Sequence, residues 1–189
     1  MKKFLSVAGL FVIYFVLVFG CEFLGFVSPL LWVYYSVLAG LLAATPFMAF
    51  ASKSTRIGVV ALFPILYLVI MLIIGEVSQP ICGLMFVVVC ILAEVIRRLI
   101  SSGKQLALRL SYSMTAVAYG MLLLPLWTKT AWYYEGAVEE MGSQAYADAL
   151  MRYATPFGLI SQVVLTFAAG YIGALIAEKI FKNRVIVSE

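Results

Sequence analysis

The sequence predicts an all-α integral membrane protein with six transmembrane helices. Of the 189 residues, 65% are hydrophobic and 12% are charged, and the mean hydropathy is +1.08. A soluble domain of this length needs more polar side chains to cover its surface. Runs such as FVIYFVLVF and MFVVVCIL are apolar on every face, whereas strands of a membrane barrel alternate apolar and polar residues. We therefore expect one helical domain over residues 1–189, located in the cell membrane.

Six apolar stretches approach the length of roughly 20 residues that a helix needs to cross the hydrocarbon core. These predicted spans 1 to 6 are residues 4–20, 30–51, 57–74, 80–101, 107–127 and 156–181. Span 1 follows Met-Lys-Lys but lacks an A-x-A cleavage signal, which favours a retained helix over a signal peptide. Pro29, Pro80 and Pro156 begin the even-numbered spans, where a missing N–H is tolerated, whereas Pro46 and Pro64 lie inside spans and are expected to kink them.

The distribution of charge predicts the orientation in the membrane. Eleven of the 13 Lys and Arg residues flank the same ends of the spans, and loops rich in these residues stay in the cytoplasm. The opposite loops hold Lys129 and Arg152 with six acidic residues, Glu22, Glu76, Glu135, Glu139, Glu140 and Asp148. Both termini are therefore predicted to be cytoplasmic. The basic excess reports topology and does not indicate a nucleic-acid partner, which would require the charges on one folded surface.

Residues 128–155 form the one long loop, and the predicted topology places it outside. Val138 and Met141, and likewise Tyr146, Leu150 and Tyr153, recur at helical spacing. The pattern predicts an amphipathic helix on the outer face of the bundle, between spans 5 and 6. A plain connector that carries interfacial aromatic residues is the alternative.

Polar and aromatic side chains gather at the predicted outer ends of the spans. The candidate substrate-binding residues there are Trp32, Tyr35, Glu76, Gln79, Tyr119, Met121, Trp127, Trp132, Tyr133, Tyr134 and Gln162. An interfacial aromatic belt would explain the Trp and Tyr residues, but it would not explain Gln162 or the acidic residues. A concave apolar pocket with a few convergent polar groups is typical of a small-molecule site.

Catalysis by this chain is not expected, because it has no histidine, no G-x-S-x-G or H-E-x-x-H motif and no P-loop. Cys21, Cys82 and Cys90 lack metal-ligand spacing, so neither a metal nor a cofactor is expected. A disulfide between Cys21 and Cys82 and a set of buried thiols both remain open. Glu94 is followed at helical spacing by two arginines, which indicates a salt bridge at the cytoplasmic end.

Small residues recur every four positions in span 6, at Ala169, Gly173 and Ala177. This spacing lets a second helix approach closely. Packing within the bundle and docking to a partner subunit are both compatible with it.

The segment MLLLPLWTKTAWYYEGAVEEMGSQAYADALMRYATP, followed by LTFAAGYIGALIAEKIFKN, resembles the C-terminal half of the family catalogued as MptA or Trep_Strep. Its members are predicted substrate-binding S components of energy-coupling factor (ECF) transporters. GLFVIYFVLVF in span 1, TPFMAF in span 2 and the Arg-ended span 4 resemble the family more loosely. The resemblance therefore covers nearly the whole chain.

The resemblance implies six membrane helices with both termini inside and a substrate held near the outer surface. Trp127, Trp132, Tyr133 and Tyr134 would then meet the substrate, and the helix after them would act as a lid. A broad pocket lined by aromatic and Met residues favours a flat, partly apolar micronutrient as the substrate. Haem or a related tetrapyrrole is one candidate, and Met, Tyr or Cys would supply its axial ligands because histidine is absent.

The resemblance also implies docking on the transmembrane coupling subunit EcfT, driven by two ATP-binding subunits, with toppling of the whole S component in the membrane. Many S components carry an A-x-x-x-A docking motif in helix 1, where this chain has Ala8-x-x-x-Val12. Together with Ala169, Gly173 and Ala177, these residues are the docking candidates.

Three other classes of function remain as alternatives. A self-sufficient channel or carrier would need polar residues through the bilayer centre, and the sequence shows them at the outer side. A membrane-embedded enzyme is disfavoured by the missing histidine and nucleophile motifs. A structural protein would leave the clustered outer polar groups unexplained.

Overall fold

The computed structural model describes residues 2–54, 56–77, 79–100 and 103–182. Regular structure in these residues is entirely helical, which confirms the all-α prediction. The helices are α1 (Lys2–Phe23), α2 (Pro29–Leu42), α3 (Ala44–Ala51), α4 (Val59–Ile74), α5 (Pro80–Leu99), α6 (Lys104–Gly120), α7 (Pro125–Thr128), α8 (Thr130–Met141), α9 (Gln144–Met151) and α10 (Pro156–Lys182). Short 3₁₀ helices follow α1 and α6, at Leu24–Val27 and Met121–Leu123.

All six predicted spans are helical, but they differ in length. Four helical segments are long and apolar enough to cross a membrane: Ser6–Val27, Pro80–Leu99, Lys104–Leu123 and Pro156–Ile180. The bent pair α2 and α3 qualifies as a fifth when taken together, and α4 is a shorter apolar helix of 16 residues. The described residues thus contain four or five candidate spans, and six crossings with a cytoplasmic location of both termini stay predictions.

Span 2 is broken where the sequence predicts a kink. α2 ends at Leu42 and α3 begins at Ala44, and the two helices are bent by 44°. Pro46 lies in the first turn of α3, where its missing N–H removes the hydrogen bond that a continuous helix would need. α4 continues through Pro64 without a break.

α6 is the most buried of the candidate spans, because 78% of its most apolar 18-residue stretch is buried inside the protein. The hydroxyl groups of Ser113 and Thr115 donate to the carbonyl oxygens four residues earlier, at 2.8 and 2.9 Å, which satisfies both side chains within the helix. Tyr112 donates its hydroxyl to the Gly40 carbonyl oxygen at 2.8 Å and ties α6 to α2. α6 therefore satisfies these two hydroxyl groups with its own backbone and is bound to α2 through Tyr112.

The small-residue stripe of span 6 packs inside the bundle. A Cβ atom built on Gly173 would lie 2.7 Å from the carbonyl oxygen of Leu41 and 2.8 Å from that of Gly40. Ala177 is fully buried, and Ala169 is 9% exposed. The chain's own helices thus occupy the surface that the sequence also offered to a partner subunit.

Charged groups at the other end of the bundle pair much as expected. The Nε atom of Arg98 lies 3.8 Å from the Oε1 atom of Glu94, which confirms the predicted salt bridge. Glu94 also accepts the backbone N–H of Gly58 at 3.1 Å. Arg97 instead donates to the carbonyl oxygen of Ser54, so it fastens the connection between α3 and α4.

Cys21, Cys82 and Cys90 are buried thiols. Of the two arrangements that the sequence left open, the structure has the buried set and no disulfide among these three residues.

Replacing Gly173 by alanine should destabilise the fold by about 1–3 kcal/mol, because the new methyl group would press on rigid backbone oxygens. Gly20→Ala is the matched control, since a Cβ there meets no neighbouring atom within 4 Å. Midpoints of thermal unfolding in detergent would measure both. Equal midpoints for the two variants would contradict the close approach of α10 to α2.

Candidate functional site

A cavity of about 310 Å³ lies between the helix bundle and the helices α8 and α9. We call residues 125–151 the cap, and the end of the bundle that they cover the cap end. The bundle contributes the end of α1, the start of α2, the turn after α4 and the 3₁₀ helix after α6. The charged and aromatic side chains that line the cavity are Glu22, Glu76, Glu140, Trp32, Trp132 and Tyr133.

Local chain geometry brings two of the three glutamates to the cavity. Glu22 lies in the last turn of α1. α4 ends at Gly75, which adopts a left-handed conformation with φ of 86°, and the N–H of Glu76 then bonds to the carbonyl oxygen of Met71 at 2.9 Å. This is the usual way a glycine ends a helix and turns the chain away from its axis. The sharp turn leaves Glu76 at the rim of the cavity.

Trp32 is held in place from several sides. Its indole Nε1 donates a hydrogen bond of 2.6 Å to the hydroxyl oxygen of Tyr133 in α8. The ring of Phe26 meets the indole edge to face, with 5.7 Å between the centroids. A Cβ on Gly25 would lie 2.3 Å from the indole ring, so only glycine admits this approach. The ring is therefore a fixed wall of the cavity.

The cap is fastened to the bundle by further contacts. Tyr146 in α9 donates its hydroxyl to the carbonyl oxygen of Gly25 at 2.5 Å. Trp127 in α7 donates its indole N–H to the carbonyl oxygen of Tyr153 at 3.0 Å. A second apolar cluster joins cap and bundle, with Val33, Leu126, Ala137, Ala147 and Leu150 at its centre. The cap is thus packed onto α2 and covers the cavity.

The predicted amphipathic helix of the cap is two helices, which corrects the sequence analysis. α8 ends at Gly142, whose φ of 60° terminates the helix. Ser143 then caps α9, its side chain accepting the N–H of Tyr146 at 3.2 Å. The helical spacing of the apolar residues continues across this break. Periodicity alone therefore predicted one helix.

The three cavity glutamates lack a basic partner. Among the described residues, no Lys or Arg nitrogen lies within 4 Å of these carboxylates. Glu22 accepts a hydrogen bond of 2.8 Å from the Tyr67 hydroxyl. Burial, and then the charge of Glu76, raises the pKa of Glu140. Acidic groups therefore converge here without a counter-charge from the chain.

The cap tyrosines beside these acids stay protonated. Burial raises the pKa of Tyr133, although the hydrogen bond from Trp32 acts in the opposite direction. Burial, and then the charge of Glu140, raises the pKa of Tyr146 to about 12. Both hydroxyl groups can therefore donate hydrogen bonds at neutral pH.

Four of the eleven predicted binding residues line the cavity. They are Trp32, Glu76, Trp132 and Tyr133. Two more, Trp127 and Tyr134, hold the cap, since Tyr134 donates to a carboxylate oxygen of Asp148 at 2.9 Å.

The other predicted residues lie outside the lining because they are held elsewhere. The Tyr35 hydroxyl donates to the carbonyl oxygen of Tyr119 at 2.7 Å, and the hydroxyl of Tyr119 bonds to that of Tyr14. Gln162 donates its amide N–H to Ser36 at 2.8 Å. Met121 is buried, and Gln79 accepts a hydrogen bond of 2.9 Å from Lys129.

Sequence reasoning did not assign Glu22, Glu140 or the apolar remainder of the lining, which includes Leu122, Leu123 and Met141. A signal existed for Glu22, because it directly follows the long apolar run of the first span and is the one acidic residue of α1. Glu140 is one of four acids in the cap, and only the three-dimensional structure distinguishes it from its neighbours.

The side chains of the cavity indicate which kind of ligand it could hold. Within the described ranges, no group of three or more His, Cys, Asp and Glu side chains is arranged to hold a metal ion. The cavity combines aromatic rings, apolar side chains and carboxylates, which suits a small molecule.

The model of the Trep_Strep family, described as a hypothetical bacterial integral membrane protein, matches residues 1–184. The chain belongs to this family. Membership in the Trep_Strep family agrees with the apolar helices above and supports a location in the membrane. Comparison with curated proteins and with solved structures gives no match.

Replacing Gly25 by alanine should displace Trp32 and loosen the cap, because the new methyl group would overlap the indole ring. We expect a loss of about 1–3 kcal/mol in stability and a red-shifted tryptophan emission. Gly136→Ala is the control, since Gly136 lines the cavity but a Cβ there meets no neighbour within 4 Å. Unchanged emission in both variants would show that Trp32 is not confined by Gly25.

Proposed function

We propose that this protein is the substrate-binding S component of an ECF-type ABC importer. In this proposal it spans the membrane six times, with both termini in the cytoplasm and the cap outside. It captures a small molecule in the cavity and delivers it inward by docking on EcfT, which two ATP-binding subunits drive. The chain acts as a binding protein and not as an enzyme.

The proposal rests on a cavity that lies at one end of the bundle and is covered by the cap. Its volume of about 310 Å³ falls at the lower end of the range for small-molecule sites. Behind the bundle-side lining lie packed aromatic rings: Tyr67, which bonds to the lining residue Glu22, and Tyr119, whose ring centroid lies 5.4 Å from that of Tyr67. Both tyrosines are fully buried. A ligand that enters from the cap end would meet this packed layer before it reached the rest of the bundle.

The polar groups deeper in the bundle favour the same function over a channel or a self-sufficient carrier. Ser36 bonds to Thr166 at 2.9 Å and accepts the amide N–H of Gln162 at 2.8 Å. All three side chains are fully buried and bond to one another, although the Oε1 atom of Gln162 accepts no hydrogen bond among the described residues. Buried groups held in this way do not line a water-filled path. Release on the opposite side then requires a movement of the whole protein, which a coupling module would supply.

The candidate docking surface lies on α1. Ala8 and Val12 are exposed, and Val16 extends the same helical face, with 58% of Val12 and 60% of Val16 accessible. Exposed apolar side chains on a membrane helix face either lipid or another protein. Because Gly173 and Ala177 are covered by the chain's own helices, α1 is the better docking candidate.

The cargo in this proposal is a micronutrient with an apolar body. Haem and related tetrapyrroles are among the candidates.

The decisive experiment is purification of the tagged full chain from its native membrane in mild detergent. We expect a transmembrane coupling subunit and two ATP-binding subunits to co-purify, identified by mass spectrometry. Val12→Trp should abolish this association by disturbing the α1 surface. Val164→Trp is the matched control, because Val164 in α10 is also 58% exposed.

If no ATP-binding subunit accompanies the parent protein, the importer role is wrong. Equal loss of partners in Val12→Trp and Val164→Trp would move the docking surface away from α1.

A further inference from the structure

We propose that the cavity binds an organic cation, a molecule with a positively charged group and an apolar body. The inference deepens the proposed function, because it rests on the cavity being the substrate site. It concerns binding to the chain alone, so it can be tested without any coupling subunit.

The charges of the lining all have one sign. Glu22, Glu76 and Glu140 are its charged side chains, and no Lys or Arg contributes to it. The basic residue Lys129 lies in the cap but outside the lining, where it donates to Gln79. An anionic ligand would meet three carboxylates without a counter-charge, whereas a cation would be attracted by all of them.

The chain itself leaves these carboxylates uncompensated. Among the described residues, Glu22 accepts a hydrogen bond from Tyr67, whereas the side chains of Glu76 and Glu140 form neither a hydrogen bond nor a salt bridge. Glu22 is half-buried, and Glu76 and Glu140 are exposed at the rim, although partial desolvation and the charge of Glu76 both act on Glu140. Like charges that converge in this way are unfavourable until a counter-charge arrives. A bound cation would reduce this repulsion between the carboxylates, so the ligand-free cavity favours the binding of a cation.

The aromatic walls indicate the same chemistry. The rings of Trp32, Trp132 and Tyr133 line the cavity together with the carboxylates. Indole and phenol faces attract cations through their quadrupoles, and tryptophan does so most strongly. The hydrogen bond from Trp32 to Tyr133 fixes two of these rings relative to each other. Rings fixed before binding lose little conformational freedom when the ligand arrives.

The cation must be larger than a metal ion. Within the described ranges, the three glutamates do not come close enough together to hold one ion between them. A volume of about 310 Å³ also leaves room for an apolar body against Leu122, Leu123 and Met141. Haem is a weaker candidate under this inference, because its carboxylates would add negative charge to an acidic cavity.

The first test uses the purified full chain in a non-ionic detergent and three probes of similar size. Benzyltrimethylammonium carries a permanent positive charge, benzyl alcohol is neutral and phenylacetate is negative. Equilibrium dialysis should give an affinity for the cation at least about tenfold higher than for the other two. Equal or tighter binding of phenylacetate, or of haemin in a parallel assay, would overturn the inference.

The second test locates the charges that matter. Glu140→Gln should weaken benzyltrimethylammonium binding by about tenfold and leave benzyl alcohol binding unchanged. Glu139→Gln is the matched control, because Glu139 is the neighbouring glutamate in α8, is exposed like Glu140 and does not line the cavity. If both variants weaken cation binding equally, the effect comes from the general surface charge and the inference is wrong.

The third test separates a ligand-binding role of Glu140 from a structural one. Glu140 faces Glu76 after α4, Glu22 in α1, Tyr146 in α9 and Tyr133 in its own helix. Because its pKa is raised in the folded protein, Glu140 takes up a proton at a higher pH than it would in the unfolded chain. As the pH falls through this raised pKa, cation affinity should fall while the stability of the ligand-free protein rises.

Glu140→Gln should make both pH profiles less steep than in the parent, whereas Glu139→Gln should leave them unchanged. A parallel fall of affinity and stability on acidification would overturn the inference.

The two proposals fail in different ways. Cation binding without co-purifying ATP-binding subunits would remove the importer role and keep the ligand class. Co-purification with no preference for the cation would do the reverse.

Discussion

The hydrogen bond from the indole of Trp32 to the hydroxyl of Tyr133 joins the helix bundle to the cap, and the cavity depends on this junction. It forms because Gly25 lets the indole lie against the backbone, and Tyr146 fastens α9 to that same glycine through its carbonyl oxygen. An apolar cluster centred on residues such as Leu150 then closes the space behind the junction. Without these contacts the glutamates would no longer converge on one cavity, and separate solvated carboxylates interact weakly and select poorly among ligands.

Below the cavity, the bundle is closely packed. α10 approaches α2 so closely that a Cβ on Gly173 would press on backbone oxygens, and Ser36 bonds to both Thr166 and Gln162. Such pairing is favoured in an apolar medium, although the Oγ atom of Ser111 and the Oε1 atom of Gln162 have no partner among the described residues. A closely packed bundle under a covered cavity suits a protein that carries its ligand across as a unit better than it suits a pore.

Much of the fold could be predicted because apolar run length and proline positions act locally. The helical stretches and the break near Pro46 follow from such signals, and so does the salt bridge of Glu94 with Arg98. Contacts between distant segments could not be predicted in this way. Arg109 and Glu178 form a bidentate ion pair with hydrogen bonds of 2.8 and 2.5 Å, yet nothing in their local sequences marks them as partners.

The residues of the candidate site show the same difference between local signals, which could be predicted, and distant contacts, which could not. Trp132 and Tyr133 stood out as aromatic residues leaving an apolar run, and they line the cavity. Gln162 stood out equally, but its amide bonds to Ser36 inside the bundle, because depth along a helix does not reveal which face a side chain occupies. Native mass spectrometry of the full chain released from its own membrane would show whether the cavity holds the substrate. We expect one bound small molecule per chain, lost in Trp132→Ala and in Tyr133→Ala; an adduct retained undiminished by both variants would exclude the cavity as the binding site.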